Sequence, residues 1–242
     1  MTMMVDVKER PILFSVPMVR ALLEGRKTQT RRAIKTFRCG GLDNCVRLST
    51  GGYAELQDEG LGYHPVGTEW KLAPSERIND WCPYGSPGER LWVRETYAIM
   101  STDGHTASVA YRERMPAGKT LADTDGGLDL IELSTDELIW ADAHIDGERW
   151  RPSIFMPRWA SRITLEITEV RVQRLQEITE DDAKAEGAEW YGFADLKPNG
   201  DLRDGESVAY RAGFHDLWQS INGEESWKSN PWVWAITFKA VR

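Results

Sequence analysis

The spacing of apolar residues along the chain separates its predicted helices from its predicted strands. Apolar residues at the helical period, together with an N-cap residue at Thr179, predict three helices, at 17–24, 179–186 and 214–221. Alternation of apolar and polar residues predicts three longer strands, at 90–100, 163–172 and 233–241. The alternation changes phase near Thr168, which predicts a bulge in the second of these strands.

The order of these elements favours an α+β fold. Shorter extended segments are predicted at 11–14, 28–34 and 107–112, so strands come first and last, with helices between them. This order fits a small mixed β-barrel with short flanking helices better than a layered parallel sheet. Three stretches show little periodicity, and we interpret them as long insertions in a single domain spanning 1–242, at about 39–87, 113–149 and 190–207.

The charge of the chain is unevenly distributed. Its 242 residues carry a formal net charge of −8, which argues against a broad cationic face for coating nucleic acid. Six cations nevertheless fall within the thirteen positions 26–38, which permits a local basic pocket. The sequence has no apolar run long enough to cross a membrane and no signal-peptide core, so we expect a cytoplasmic protein without membrane contact.

The stretch 25–32 holds the most concentrated candidate chemistry. It follows a predicted helix, and Gly25 supplies the helix stop. Lys27 becomes a base only if burial or nearby cations lower its pKa well below about 10.4. The alternative is a solvated lysine at a helix end. Thr30 approaches Lys27 if the chain turns there and points away if it is extended, and its structural alternative is an ordinary strand residue.

Three segments carry a resemblance to a known family. "EGRKTQTRR" resembles the G-x-K-T-x-T-x-R signature of the ASCH family, relatives of the PUA RNA-binding domains. "WRPSIFMPRWASRITLEITEVRVQRL" and "FHDLWQSINGEESWKSNPWVWAITF" resemble the larger ASCH proteins of tailed phages and prophages. The resemblance covers the first forty residues and most of the chain after about Cys82. It implies a PUA-like barrel.

The resemblance also implies a set of site residues. Small bacterial ASCH proteins that hydrolyse N(4)-acetylcytidine use a lysine, a threonine and a glutamate, which match Lys27, Thr30 and, through "ITEDDAKAEG", Glu186. These three are the predicted catalytic residues. The predicted substrate-binding residues are the polar neighbours in the motif and one polar pair on a strand: Arg26, Thr28, Arg31, Arg32, Arg94 and Glu95. Arg94 and Glu95 fit a buried structural ion pair as well.

No cofactor or metal is predicted. The chain lacks a P-loop, a dinucleotide-binding glycine pattern and an HExxH motif. A zinc site would have to use the widely spaced residues Cys39, Cys45, His64 and Cys82, which we interpret instead as free thiols and an isolated histidine. Trp159, Trp232 and Trp234 either stack on a base or pack in the core, and we interpret the last two as packing.

The leading functional hypothesis is that the chain binds RNA or a modified nucleoside in a basic pocket around Lys27. Its specific form is an amidohydrolase that removes the acyl group from an exocyclic amine of a pyrimidine nucleoside similar to N(4)-acetylcytidine. The alternatives are a non-catalytic RNA-binding module, an ASCH-type ribonuclease and a structural phage protein.

Overall fold

A computed structural model of the chain describes residues 7–39, 42–47, 53–57, 60–63, 71–114, 128–145, 149–190 and 210–241. The chain divides into two compact units. The first contains Met1–Leu23, Arg90–Leu165 and Ala240–Arg242, and the second contains Glu24–Glu89 and Glu166–Lys239. Each unit is described separately below.

Strands outnumber helices among the described residues, and several strands follow one another directly. The strands are β1 (Glu9–Leu13), β2 (Gln29–Ala33), β3 (Thr36–Cys39), β4 (Leu42–Arg47), β5 (Tyr53–Gln57), β6 (Gly60–Tyr63), β7 (Lys71–Leu72), β8 (Arg90–Arg94), β9 (Tyr97–Thr102), β10 (Thr106–Tyr111), β11 (Asp129–Glu132), β12 (Thr164–Arg174) and β13 (Trp232–Val241). The α-helices are α1 (Val16–Leu23), α2 (Ser75–Trp81), α3 (Thr135–Asp142), α4 (Glu180–Ala185) and α5 (Tyr210–Asn222).

The first unit is built on a parallel strand pair and a small antiparallel sheet. β1 runs parallel to β8, with Ile12 opposite Val93. β9, β10 and β11 form an antiparallel sheet in which β10 is central. Its core contains fully buried side chains from β9, β10 and the segment after residue 150, among them Tyr97, Val109, Tyr111 and Met156. The hydroxyl of Tyr111 donates to the carbonyl of Ala160, so this aromatic residue is buried with its polar atom satisfied.

The second unit positions the candidate site. β2 pairs antiparallel with β13, and Thr30 lies opposite Ile236. β3 to β7 form a separate antiparallel sheet in sequence order. α4 and α5 pack together over a core that includes Leu175, Phe214 and Trp218. Burial of these large side chains is the main favourable term that holds the short α4 in place, because an isolated helix of six residues is not stable in water.

The predicted α+β class is confirmed, but the barrel is not. Most predicted elements occur within two residues of their expected ends, and the burial pattern of β12 changes phase where the bulge was predicted, between Ile167 and Val170. The predicted strand at 90–100 is two strands, because the chain breaks at Glu95 and Thr96. Among the described residues the strands form open sheets, and no closed barrel is found.

The predicted insertions contain more regular structure than their sequences suggested. The first holds β4 to β7 and α2, more than the two short strands that its sequence suggested. The second holds β11 and α3, whose start is marked by a capping box formed by Ser134 and Glu137. The third, 190–207, lies outside the described residues except for Trp190.

Candidate functional site

The basic segment Gly25–Thr28 caps the C-terminal end of α4. The last carbonyls of a helix have no partner within the helix. Three consecutive residues each donate to one of three consecutive carbonyls there: Arg26 Nη1 to Gly187 at 3.3 Å, Lys27 Nζ to Glu186 at 2.8 Å, and the Thr28 amide to Ala185 at 2.8 Å. Positive charge at this end also complements the helix dipole. The cap explains why the motif and this helix meet in the fold.

α4 is held at its other end by its own side chains. Thr179 is the N-cap residue, and its Oγ1 accepts a hydrogen bond from the Asp182 amide at 3.1 Å. Asp182 also reaches back to the Thr179 amide, completing a capping box. Both ends of α4 are therefore fixed. Asp182 and Glu186 are four residues apart, so they project from the same side of the helix, towards β2.

Lys27 and Glu186 form a buried ion pair. Lys27 Nζ lies 2.9 Å from Glu186 Oε2, and the two side chains are 0% and 2% exposed. Nζ also donates to the carbonyls of Gln29 and Glu186, both at 2.8 Å. Three oxygens therefore surround Nζ, as many as an ammonium group has protons. Residues 159 positions apart in the chain meet here.

Arg31 extends the pair into a network of alternating charges. Its guanidinium donates to Glu186 Oε1 at 3.1 Å and to Asp182 Oδ2 at 2.9 Å, so different cations bind the two oxygens of Glu186. Arg171 donates to the other Asp182 oxygen at 3.2 Å. Burial alone would raise the pKa of Asp182, but the charge of Arg31 and the hydrogen bonds from Arg171 and Gln29 outweigh it and hold the pKa below its usual value.

Two arginines of β2 act on the Lys27–Glu186 pair. Successive side chains of a strand alternate, so Gln29 and Arg31 share one face while Arg32 shares the other with Thr30. Burial is the main cause that lowers the pKa of Lys27 below its ordinary value. Glu186 opposes this shift, and the charges of Arg32 and Arg31 add to it.

The Arg32 face also involves a residue from the predicted first insertion. Tyr84 follows α2, and its phenol interacts electrostatically with Arg32. Burial raises the pKa of Tyr84 and lowers that of Arg32. The neighbouring strand residue, Thr30, is 2% exposed.

The structure therefore brings together some of the predicted residues and separates others. Lys27, Glu186 and Arg31 are in direct contact, and Thr30 projects from the opposite face of β2 from Arg31. Thr28 is exposed. Arg26 is half-exposed and bonds to the Glu24 carboxylate, so its guanidinium faces away from the buried pair.

The other predicted substrate-binding pair belongs to the first unit. Glu95 is buried, and both of its oxygens accept hydrogen bonds from Arg162 at 2.9 Å. Arg94 donates to the Ile154 carbonyl at 3.1 Å and stacks over the Trp92 ring, 4.6 Å from its centroid. Glu95 is therefore in a buried ion pair, but its partner is Arg162 and not Arg94.

A cavity of about 410 Å³ lies beside the capped end of α4. Its lining comes from the capping segment, α4 and the start of α5: Gly25, Arg26, Thr28, Asp181, Lys184, Ala185, Ala188 and Tyr210. Two of these residues are cations and one is an anion. Lys184 Nζ lies 5.8 Å from the centroid of the Tyr210 ring.

The cysteines and tryptophans among the described residues pack against other side chains. Cys45 and Cys82 are buried cysteines that form no disulfide, while His64 and the Cys39 side chain lie outside the described residues. No group of three metal-binding side chains occurs in the described ranges. Trp234 is buried, Trp159 packs edge-on against Trp140, and Trp232 lies 4.4 Å below Arg174.

Sequence reasoning missed Asp182 and Arg171 as members of the network. Asp182 stands three residues after the N-cap residue Thr179, a spacing that indicates the start of a helix. Nothing in that spacing indicates its second contact, with Arg31. Arg171 lies on β12, and nothing local to it signals a partner eleven residues away.

Comparisons of the chain with protein families, with curated proteins and with solved structures find no match. None of the helices in the described ranges has both the length and the apolar character needed to cross a membrane.

Proposed function

We propose that the chain binds RNA or a modified nucleoside beside the Lys27–Glu186 pair and hydrolyses the exocyclic amide of an N-acylated pyrimidine nucleoside. The observation that carries the proposal is the 2.9 Å contact between Lys27 Nζ and Glu186 Oε2. A base and an acid that the ASCH resemblance places far apart in sequence are neighbours in a water-poor environment. A buried lysine whose pKa is lowered and which contacts a carboxylate is a candidate for a functional site.

The pair has two forms with the same net charge. One is an ammonium with a carboxylate, and the other is an amine with a carboxylic acid. They differ by one proton moved along the hydrogen bond between Lys27 Nζ and Glu186 Oε2. Burial favours the neutral form, because desolvation penalises charge. The neutral form holds a general base and a general acid at once.

In the proposed reaction the Lys27 amine takes a proton from a water molecule, whose oxygen forms a bond to the acyl carbonyl carbon. The bond from that carbon to the exocyclic nitrogen then breaks, and Glu186 gives its proton to the departing amine. A carboxylic acid and a free-amine nucleoside result, and a proton passing from Lys27 to Glu186 restores the pair. Water is the proposed nucleophile rather than Thr30, because Thr30 projects from the opposite face of β2 from Arg31, which contacts Glu186.

The two arginines of β2 have separate roles in this proposal. Arg31 is a positioning residue, because its guanidinium bonds both Glu186 and Asp182 and its side chain is fully buried. Arg32 is the cation assigned to the substrate, since it lies on the Thr30 face and acts electrostatically on both Lys27 and Glu186. A cation at that place stabilises an oxyanion formed in the tetrahedral intermediate.

A non-catalytic RNA-binding module is the second candidate. It is favoured by the three oxygens around Lys27 Nζ, which match the hydrogen bonding of a charged ammonium group. In that case Lys27 caps α4 and fixes the basic segment, and the neighbouring cations bind phosphate.

One comparison tests both candidates. Wild type, Lys27→Arg and Lys27→Ala are incubated with N(4)-acetylcytidine and with short RNAs, and products are followed by mass spectrometry. Arginine keeps the charge and cannot act as a base, so deacylation is expected to vanish in both variants. RNA binding, measured at fixed salt, is expected to persist in Lys27→Arg and to weaken in Lys27→Ala.

The matched control is Lys35→Arg, an exposed lysine just after the same strand, which is expected to behave as wild type. Circular dichroism checks that each variant folds. Near-wild-type hydrolysis by Lys27→Arg would remove Lys27 as the base. RNA binding by a wild-type protein that releases no acyl group would favour the binding module.

Family, fold and origin are proposed on the same grounds. We propose membership of the ASCH family, a PUA-like arrangement of the strands, a phage or prophage origin and action in the cytoplasm. The strand pairing of β2 with β13 supports the first two, because it joins the motif to the tail that carries the resemblance. No cofactor is required for the reaction as written.

A further inference from the structure

We propose that the cavity beside α4 is a binding site for one nucleotide of a single RNA strand, so that the substrate is an acylated residue within RNA. This inference rests on the proposed function and names its substrate class. The cavity is separate from the buried pair. Its lining does not include Lys27, Thr30 or Glu186.

The position of the cavity links it to the pair. Arg26 and Thr28 line the cavity and are the chain neighbours of Lys27, while Ala185 lines it and precedes Glu186. The Thr28 amide donates to the Ala185 carbonyl at 2.8 Å, which joins the two segments directly. The cavity and the pair are thus built from the same two segments. An RNA strand bound in the cavity therefore contacts the two segments that carry the pair.

The lining chemistry fits a nucleotide. A volume of about 410 Å³ falls within the usual range for small-molecule sites. Tyr210 offers a ring on which a base stacks, and the methyl groups of Ala185 and Ala188 offer an apolar surface. Lys184 and Arg26 supply positive charge for a phosphate, opposed by the carboxylate of Asp181 in the lining and by that of Glu24, which Arg26 binds.

The modest charge of the lining also agrees with the rest of the chain. A net charge of −8 excludes a long cationic track but allows a site that holds one or two phosphates. With two cations, the logarithm of RNA affinity is expected to fall with the logarithm of salt concentration with a slope of about −1.4.

The test uses the full chain with Lys184→Gln and Tyr210→Leu, and Lys228→Gln as a control that removes one exposed lysine elsewhere in the same unit. The probes are a short single-stranded RNA with one N(4)-acetylcytidine and the free nucleoside. Lys184→Gln is expected to reduce the magnitude of the salt slope by about 0.7. Tyr210→Leu is expected to weaken RNA binding by about 5- to 150-fold.

Deacylation kinetics distinguish a defect in the cavity from a defect in the catalytic pair. In both variants KM for the RNA substrate is expected to rise while kcat, and the rate with free nucleoside, stay at the wild-type value. RNA affinity equal to wild type in both variants would overturn the cavity site, whatever the enzyme activity. If the wild type deacylates neither probe, the amidohydrolase proposal fails, and weakened RNA binding by Lys184→Gln and Tyr210→Leu still supports the cavity.

Discussion

Each unit of the protein contains a buried ion pair, and the two differ in the cation. In the first unit Arg162 binds both oxygens of Glu95 at 2.9 Å and stacks over Tyr111, 4.2 Å from the ring centroid. In the second, Lys27 binds one oxygen of Glu186 at 2.9 Å. Both carboxylates are almost fully buried.

The difference decides what each pair can do. Burial lowers the pKa of Arg162, but the hydrogen bonds and charge of Glu95 raise it above the ordinary value, so the guanidinium stays protonated at any working pH. Its pair is a fixed structural contact. The pKa of Lys27 is lowered by its burial, so its ammonium gives up a proton more readily than that of an ordinary lysine. Burial of an ion pair is therefore weak support for catalysis, and the ability of the cation to lose its proton is the discriminating property.

The largest expected effect is the loss of deacylation when Glu186 is neutralised. Glu186→Gln keeps the shape and removes the acid, so deacylation of N(4)-acetylcytidine is expected to fall by about 10²- to 10⁴-fold. Steady-state kinetics measure the loss. Glu189→Gln, an exposed change three residues away, is the control with an unchanged rate. Equal activity in the two variants would show that Glu186, like Glu95, has a structural role.

The second prediction concerns the fixed pair. Glu95→Gln removes the bidentate partner of the Arg162 guanidinium and leaves only the Glu113 carboxylate, 3.5 Å away, so we expect the free energy of unfolding to fall by about 3–5 kcal/mol. Chemical denaturation measures it. Glu132→Gln, an exposed change on β11 of the same unit, is expected to cost much less. A loss below about 1 kcal/mol for Glu95→Gln would contradict a structural role.

The third prediction sharpens the difference between the two cations. Arg162→Lys keeps the charge but loses the second hydrogen bond and the stacking on Tyr111. The free energy of unfolding is expected to fall by about 1.5–3 kcal/mol, the contribution of one hydrogen bond to a charged group. A double-mutant cycle with Glu95→Gln isolates the pair. Additive losses would show that the two residues do not interact.

The smallest expected effect is a pH dependence of stability. The folded pKa of Lys27 is lowered, so the unfolded chain binds more protons between that pKa and the unfolded value of about 10.4. Lys27 therefore makes stability rise with pH through that window. Denaturation from neutral to alkaline pH is expected to show this rise in wild type and in Lys35→Met, and to lack it in Lys27→Met. Parallel curves for all three proteins would contradict a lowered pKa.

The sequence by itself determined the local elements and the participants. Helical periodicity and capping residues were enough to place α1, α4 and α5, because these signals act within a few residues of one another. The motif singled out Lys27, and the alignment of "ITEDDAKAEG" singled out Glu186. The first insertion holds four short strands, β4 to β7, where two were expected, because strands of two to six residues are too short to show a clear period.

Only the tertiary structure decided which residues meet and in what surroundings. Whether Thr30 turns towards Lys27 depended on β2 being extended and paired with β13, which places Thr30 and Arg31 on opposite faces. The partners of Arg31 and Glu95 come from distant segments, 151 and 67 positions away. The lowered pKa of Lys27 likewise has burial as its main cause, and burial is a property of the packed chain rather than of any local pattern.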